Sequence, residues 1–184
     1  MLSEEEIIRH TKNWVIDVVV GLNFCPFAAK EVKKGSVHYI VAEGDSVEEH
    51  LEMVLTAFSQ LDQQAEIETT LIIFPDSYTD FNEYLNFVNA AEDELAENGY
   101  EGIYQVASFH PEYLFSGSSP DDAANYTNRS PYPMLHLLRE ESLSRVIDAH
   151  PDIDSIPERN IHLARQKGLH AMQMLRESCF RHIS

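Results

Sequence analysis

Apolar residues recur at helical spacing in several stretches of the chain, and short β-branched runs lie between them. Ile7, Ile8, Val15, Val18, Val19 and Leu22 fall near one face of a helix opened by Ser3 and Glu6, which have capping-box spacing. Gly21 interrupts that pattern, and Asn23-Phe24-Cys25-Pro26-Phe27 reads as a turn. Residues 36–42 (SVHYIVA) read as a strand. A second capping box, Ser46 and Glu49, opens a helix with Val47, Leu51, Val54, Leu55, Phe58 and Leu61 on one stripe. Thr69–Phe74 (TTLIIF) predicts a buried strand stopped by Pro75. Residues 80–97 repeat the helical pattern through Phe81, Tyr84, Leu85, Val88, Ala91 and Leu95, ending at Asn98-Gly99. Residues 102–109 predict a third strand.

Beyond that strand the periodicity stops. From Ser108 the chain runs through Gly, Ser, Pro, Asn, Asp and aromatic residues to Pro133, where a helix carrying Leu135, Leu138 and His136 is expected. His150-Pro151-Asp152 reads as its terminator, and Ser155, Pro157 and Glu158 open a last helix running toward Cys179. The order is α-β-α-β-α-β-loop-α-α. It predicts one α/β domain over residues 1–184, with a small mixed or mostly parallel sheet of about three strands, flanking helices and two C-terminal helices.

Charge narrows the partners. The formal net charge is −18, and no Lys or Arg occurs between Lys34 and Arg129, whereas nineteen Asp or Glu do. Nucleic acid and anionic membrane are therefore not expected partners. Solvated acidic helix faces are the plain reading of the acidic middle of the chain, and docking on a basic protein partner or metal ions is the sharper one. Two cysteines more than 150 positions apart make neither a disulfide framework nor a zinc ribbon, and the N-terminus begins with acids rather than bases. Both features predict a cytoplasmic protein. Val15–Gly21 is too short, and with Asp17 too polar, to span a membrane.

The long connection after the third strand holds most of the candidate chemistry, since connections of that length are often functional. His110 stands at a strand's carboxyl end, where α/β proteins place ligands, and suits a general base, a metal ligand or a haem ligand. Asp121 or Asp122 with His110 would offer oxygen and nitrogen to zinc, manganese or iron. Arg129 presents a planar fork to a carboxylate or phosphate. Asn125, Thr127, Asn128, Ser130, Tyr132 and His136 are the expected substrate contacts, with Pro131 and Pro133 stiffening the frame. Cys25, between two phenylalanines and before Pro26, is either buried filler or a ligand lining the site.

Three segments carry a family resemblance: Asn23-Phe24-Cys25-Pro26-Phe27-Ala28, Ser108-Phe109-His110-Pro111, and Thr127-Asn128-Arg129-Ser130-Pro131-Tyr132-Pro133-Met134-Leu135-His136-Leu137-Leu138-Arg139. In these the chain resembles the bacterial family called domain of unknown function 1415, over nearly its whole length. Cys25-Pro26-Phe27-Ala28, Lys34-Gly35 before a strand, and a strand ending in His110-Pro111 are also similar to the YqcI/YcgG-type proteins. That group includes haem-dependent enzymes that hydroxylate amine or guanidine nitrogens. The second resemblance implies a haem site with His110 as iron ligand. In such a site Arg129 would anchor a carboxylate, of a haem propionate or a substrate acid, and Cys25 would line it. The expected function is a haem- or metal-binding, oxygenase-like enzyme acting on a small molecule, with haem ahead of a divalent metal ion. The alternative is a non-enzymatic acidic binding module.

Overall fold

The structure, a computed structural model, describes residues 2–149 and 155–181. Helix α1 (Glu4–Trp14) starts at Ser3 with both halves of the capping box formed, and runs on as π-helical Val15–Val20. Helix α2 (Ala28–Lys34) ends at the left-handed Gly35, and strand β1 (Val37–Val41) follows. Then come α3 (Val47–Gln63), β2 (Thr69–Ile73), α4 (Phe81–Glu97) and β3 (Tyr104–Phe109). The second capping box forms at Ser46 and Glu49. The loop after β3 contains a 3-10 turn, Ala123–Thr127, whose N-cap is Asp122.

The segment after Pro133 departs from the expected helix. Met134–Arg139 is a fourth strand, β4, and helix α5 (Glu140–Ala149) starts only beyond it. Met and Leu favour helix in isolation, but a short apolar run carries no period that separates a buried strand from a buried helix turn. Here β4 lies inside the sheet, with Met134, Leu135 and Leu137 fully buried, so burial on two faces outweighs local preference. Pro133 sits just before the strand, where its missing N–H costs no ladder bond. The last helix is also divided: α6 (Ile156–Lys167) and α7 (Leu169–Ser178) meet at Gly168, whose φ of 86° ends one helix and redirects the chain. The expected terminator at His150-Pro151-Asp152 lies outside the described residues.

The sheet order is β1-β2-β4-β3. Only β1 and β2 pair in parallel; β4 runs antiparallel to both β2 and β3. The sheet is thus mixed, with four strands rather than about three, and one parallel pair rather than a parallel majority. Strands β1, β2 and β3 all point their carboxyl ends at one edge, where β4 begins. Ile73, Met134 and Phe109 stand side by side in that last row.

Side-chain alternation gives each face its own core. Ile72, Leu135, Leu137 and Val106 pack under α3 and α4 against Val54, Phe58, Tyr84, Phe87 and Leu95. Leu71, Ile73 and Met134 pack on the other face with Trp14, Val18, Tyr126, Ala164 and Met172. The helices α1, α6 and α7 supply that second layer, together with the 3-10 turn. No helix among the described residues is long and apolar enough to cross a membrane.

Candidate functional site

A cleft of about 250 Å³ opens at the edge where the three carboxyl ends converge. Its walls come from three separate segments: Pro75 and Thr79 after β2, His110, Pro111 and Glu112 after β3, and Pro131, Tyr132 and Pro133 before β4. A proline follows closely after β2 and β3 and another directly precedes β4, so each segment enters the cleft with a restricted backbone. The ends are also stitched together. The Phe74 amide donates to the Pro133 carbonyl (2.9 Å), and the His110 amide to the Asn128 carbonyl (3.2 Å). The Phe109 amide donates to the Tyr84 phenol oxygen (3.0 Å), whose own proton goes to the Met134 carbonyl (2.6 Å).

His110 is almost entirely buried, and both ring nitrogens are engaged. Nε2–H donates to the Tyr78 carbonyl (2.9 Å), which can only accept, so Nδ1 holds the lone pair and accepts the Glu112 amide (3.0 Å). Burial holds the ring below the ordinary histidine value, while the Tyr78 hydrogen bond and the Glu112 and Asp80 carboxylates act in the opposite sense. The ring is therefore a neutral strut in one tautomer. Phe81 and Tyr84 of α4 pack against it at 5.2 and 4.9 Å between centroids.

Tyr132 is fixed from both ends. Ser130 donates its hydroxyl to the Tyr132 carbonyl, and the phenol meets Nδ1 of buried His10 on α1 at 2.7 Å. Burial raises the phenol above its ordinary value, the Glu6 and Asp76 carboxylates add to that, and Arg9 opposes it. Among the described residues no Lys or Arg lines the cleft, whereas Glu112 does.

Of the residues singled out from sequence, His110 and Tyr132 come together in the cleft, with Ser130 and Asn128 directly behind them. The others are placed elsewhere. Asn125 is fully buried, taking the Phe115 amide on Oδ1 and donating to the Ser119 carbonyl. Thr127 donates to the Ala124 carbonyl. Arg129 spreads its fork over the Tyr113 and Pro120 carbonyls and lies over the Tyr126 ring. Asp122 receives a bidentate pair from Arg165, which with the Ala124 amide holds its carboxyl well below the usual carboxylate range. His136 points from β4 into the face opposite α3 and α4, and bonds Thr69 at 2.7 Å. Its expected helical neighbour Arg139 belongs to the other face, donating to the Leu61 and Ile67 carbonyls, because strand side chains alternate. Cys25 is half-buried and is not among the cleft residues; α6 ties down the backbone beside it, with Asn160 donating to the Phe24 carbonyl and Arg159 to that of Asn23.

Pro75, Thr79, Glu112 and His10 were not among the sequence candidates. The segment Asp76-Ser77-Tyr78-Thr79-Asp80, following a strand and a proline, carried a signal for the first two. Nothing local marks His10, which arrives from a helix 122 positions before Tyr132.

These contacts also test the fit of haem or a metal ion. Ligation through His110 would require giving up its bond to either Tyr78 or Glu112. No group of three or more His, Cys, Asp and Glu side chains among the described residues converges as a metal site. His110 as it is held here therefore does not fit the role of an iron or metal ligand.

No curated protein and no solved structure matches the chain, and the similarity to the YqcI/YcgG-type proteins finds no counterpart in these comparisons. A family model does match, over residues 6–174, described as a protein of unknown function (DUF1415). With nearly all of the fold and every residue of the cleft inside that match, the chain belongs to the DUF1415 family.

Proposed function

We propose that the protein binds a small molecule in the cleft at the carboxyl ends of β2 and β3. The observation that carries this reading is the convergence of three proline-stiffened segments on one cleft, each locked to the next by backbone or buried side-chain hydrogen bonds. Preorganised concave sites at such edges are where α/β folds take ligands. The volume is below the ~300–1,000 Å³ of drug-sized sites, so the ligand is small. Four proline rings and the Tyr132 ring receive an apolar body, while the Thr79 hydroxyl and the Glu112 carboxylate receive hydrogen-bond donors.

Backbone amide spectra recorded during a small-fragment screen test this. Bound fragments are expected to shift Thr79, Glu112 and Tyr132 together, and Glu112→Gln with Thr79→Ala to weaken binding by about tenfold. Fragments that bind elsewhere, or none that reach these amides, would remove the reading. Since His110 has no ring nitrogen to spare, protein made in haem-supplemented cells is expected to show no Soret band.

A second reading rests on a different observation. Helices α3 and α4, which cover one whole face of the sheet, carry no Lys or Arg, and none of their acids joins an ion pair among the described residues. That layer suits a basic protein surface.

A further inference from the structure

The two lips of the cleft are unequally held. The lip after β2 turns on Tyr78, which has φ of 57°, a left-handed conformation that a bulky side chain rarely adopts. Several contacts hold it there. The Tyr78 ring stacks on Phe87 at 4.2 Å and 11°, and its hydroxyl meets Nδ1 of His50 on α3 at 2.7 Å. His50 is almost fully buried, and its Nε2–H donates to the Gly44 carbonyl. This lip is a fixed reference.

Among the described residues, the side-chain hydrogen bonds that join the opposite lip, Pro111–Glu112, to it run through the His110 ring, which donates to the Tyr78 carbonyl on one side and accepts the Glu112 amide on the other. A proton added to Nδ1 turns the Glu112 contact into two N–H groups facing each other. The Tyr78 contact survives that proton, because Nε2–H remains a donor. The groups around the ring from each packed element are Asp80, Phe81 and Tyr84 of α4 and its cap, Tyr78 of the fixed lip, and Glu112 of its own loop. Tyr132 lines the same cleft. Arg176 of α7 holds the Pro111 carbonyl and Arg129 holds that of Tyr113, so the Glu112 peptide is suspended between two anchored points.

We propose that His110 is an acid-sensitive bolt of this cleft: neutral, it ties the Pro111–Glu112 lip to the fixed Tyr78 lip, and protonated, it releases the Glu112 peptide and opens the cleft. This rests on the cleft being the ligand site, and assigns how that site is regulated. Burial places the release on the acid side of the ordinary histidine range, so the bolt is closed at neutral pH.

The full chain tests this without any ligand. Protection of the Glu112 amide against hydrogen exchange, corrected for the intrinsic rate at each pH, is expected to fall by about tenfold or more as pH drops below the ordinary histidine value. The core amides of β2 and β4 should stay protected, and the midpoint should coincide with the titration of the His110 ring followed by nitrogen shifts. His110→Asn keeps an acceptor at the δ position and does not titrate, so its Glu112 step is expected to vanish. Glu112 protection that stays flat while the ring titrates, a step that persists in His110→Asn, or a loss shared by the whole sheet would each overturn the proposal. If His110→Asn does not fold, the coincidence of the two wild-type titrations decides alone. Fragment binding at neutral pH is unaffected by failure of the bolt, so the two readings fail separately.

Discussion

Tyr84 shows how much a single side chain decides at this site. Its phenol oxygen accepts the Phe109 amide and donates to the Met134 carbonyl, joining the last residue of β3 to the first of β4, next in sequence to the cleft residues His110 and Pro133. Burial pushes the phenol well above the ordinary tyrosine value, so it remains a donor at all physiological pH. Tyr84→Phe keeps the ring and its packing but leaves a buried amide and a buried carbonyl without this partner. Urea unfolding is expected to show a loss of about 1–3 kcal/mol, and a loss under 0.5 kcal/mol would mean that the two backbones pair without it. The helical spacing of Tyr84 with Phe81 and Val88 was legible as an inward face. The role of its hydroxyl was not, because both partners are backbone groups from strands later in the chain.

At the scale of elements, β4 is the case where local sequence and structure part. Placing Met134–Arg139 between β2 and β3 puts His136 largely out of solvent on the sheet, where its Nε2–H donates to the Thr69 hydroxyl, itself donating to the Leu137 carbonyl. Desolvation lowers the ring to about 4, below the ordinary histidine value of 6.5. The unfolded chain therefore binds a proton that the native state resists. Stability is full above about pH 6.5 and is lost as pH falls toward 4, by up to about 3 kcal/mol. Chemical denaturation at a series of pH values is expected to show this slope, and His136→Leu to flatten it. An unchanged slope in the variant would assign the acid sensitivity to other groups. The long loop is a parallel case. Its Asn125 and Arg129 read as ligand contacts from composition alone, yet here they satisfy loop carbonyls and amides, as a long irregular segment with buried backbone requires.

Over the whole molecule, charge divides by sheet face. The layer of α3 and α4 is anionic without a cation of its own, while α1, α2, α6 and α7 carry both signs, including Arg9, Lys12, Lys30, Lys33, Lys34, Arg159, Arg165, Lys167 and Arg176. If the acidic layer engages a basic protein, location must matter beyond net charge. Replacing Glu83, Asp93 and Glu97 by Gln or Asn is expected to weaken capture of a Lys-rich peptide severalfold more than the same replacement of Glu4, Glu5 and Glu158, with both effects shrinking at high salt. Equal effects would reduce the acidic layer to a solvated surface.

The segregation was visible in the sequence as an uninterrupted anionic stretch, as were the two capping boxes, three of the strands and the helices whose apolar period is long enough to be unambiguous. Those features depend on neighbours within a few residues, so the chain determines them by itself. Which strand lies in the middle of the sheet, which face His136 and Arg139 take, and which tautomer His110 holds depend on partners 30 to 80 residues away. A six-residue apolar run, a histidine before a proline and an arginine in a loop have several low-energy environments each. Only burial against distant segments, with the demand that every buried donor meet an acceptor, selects one of them.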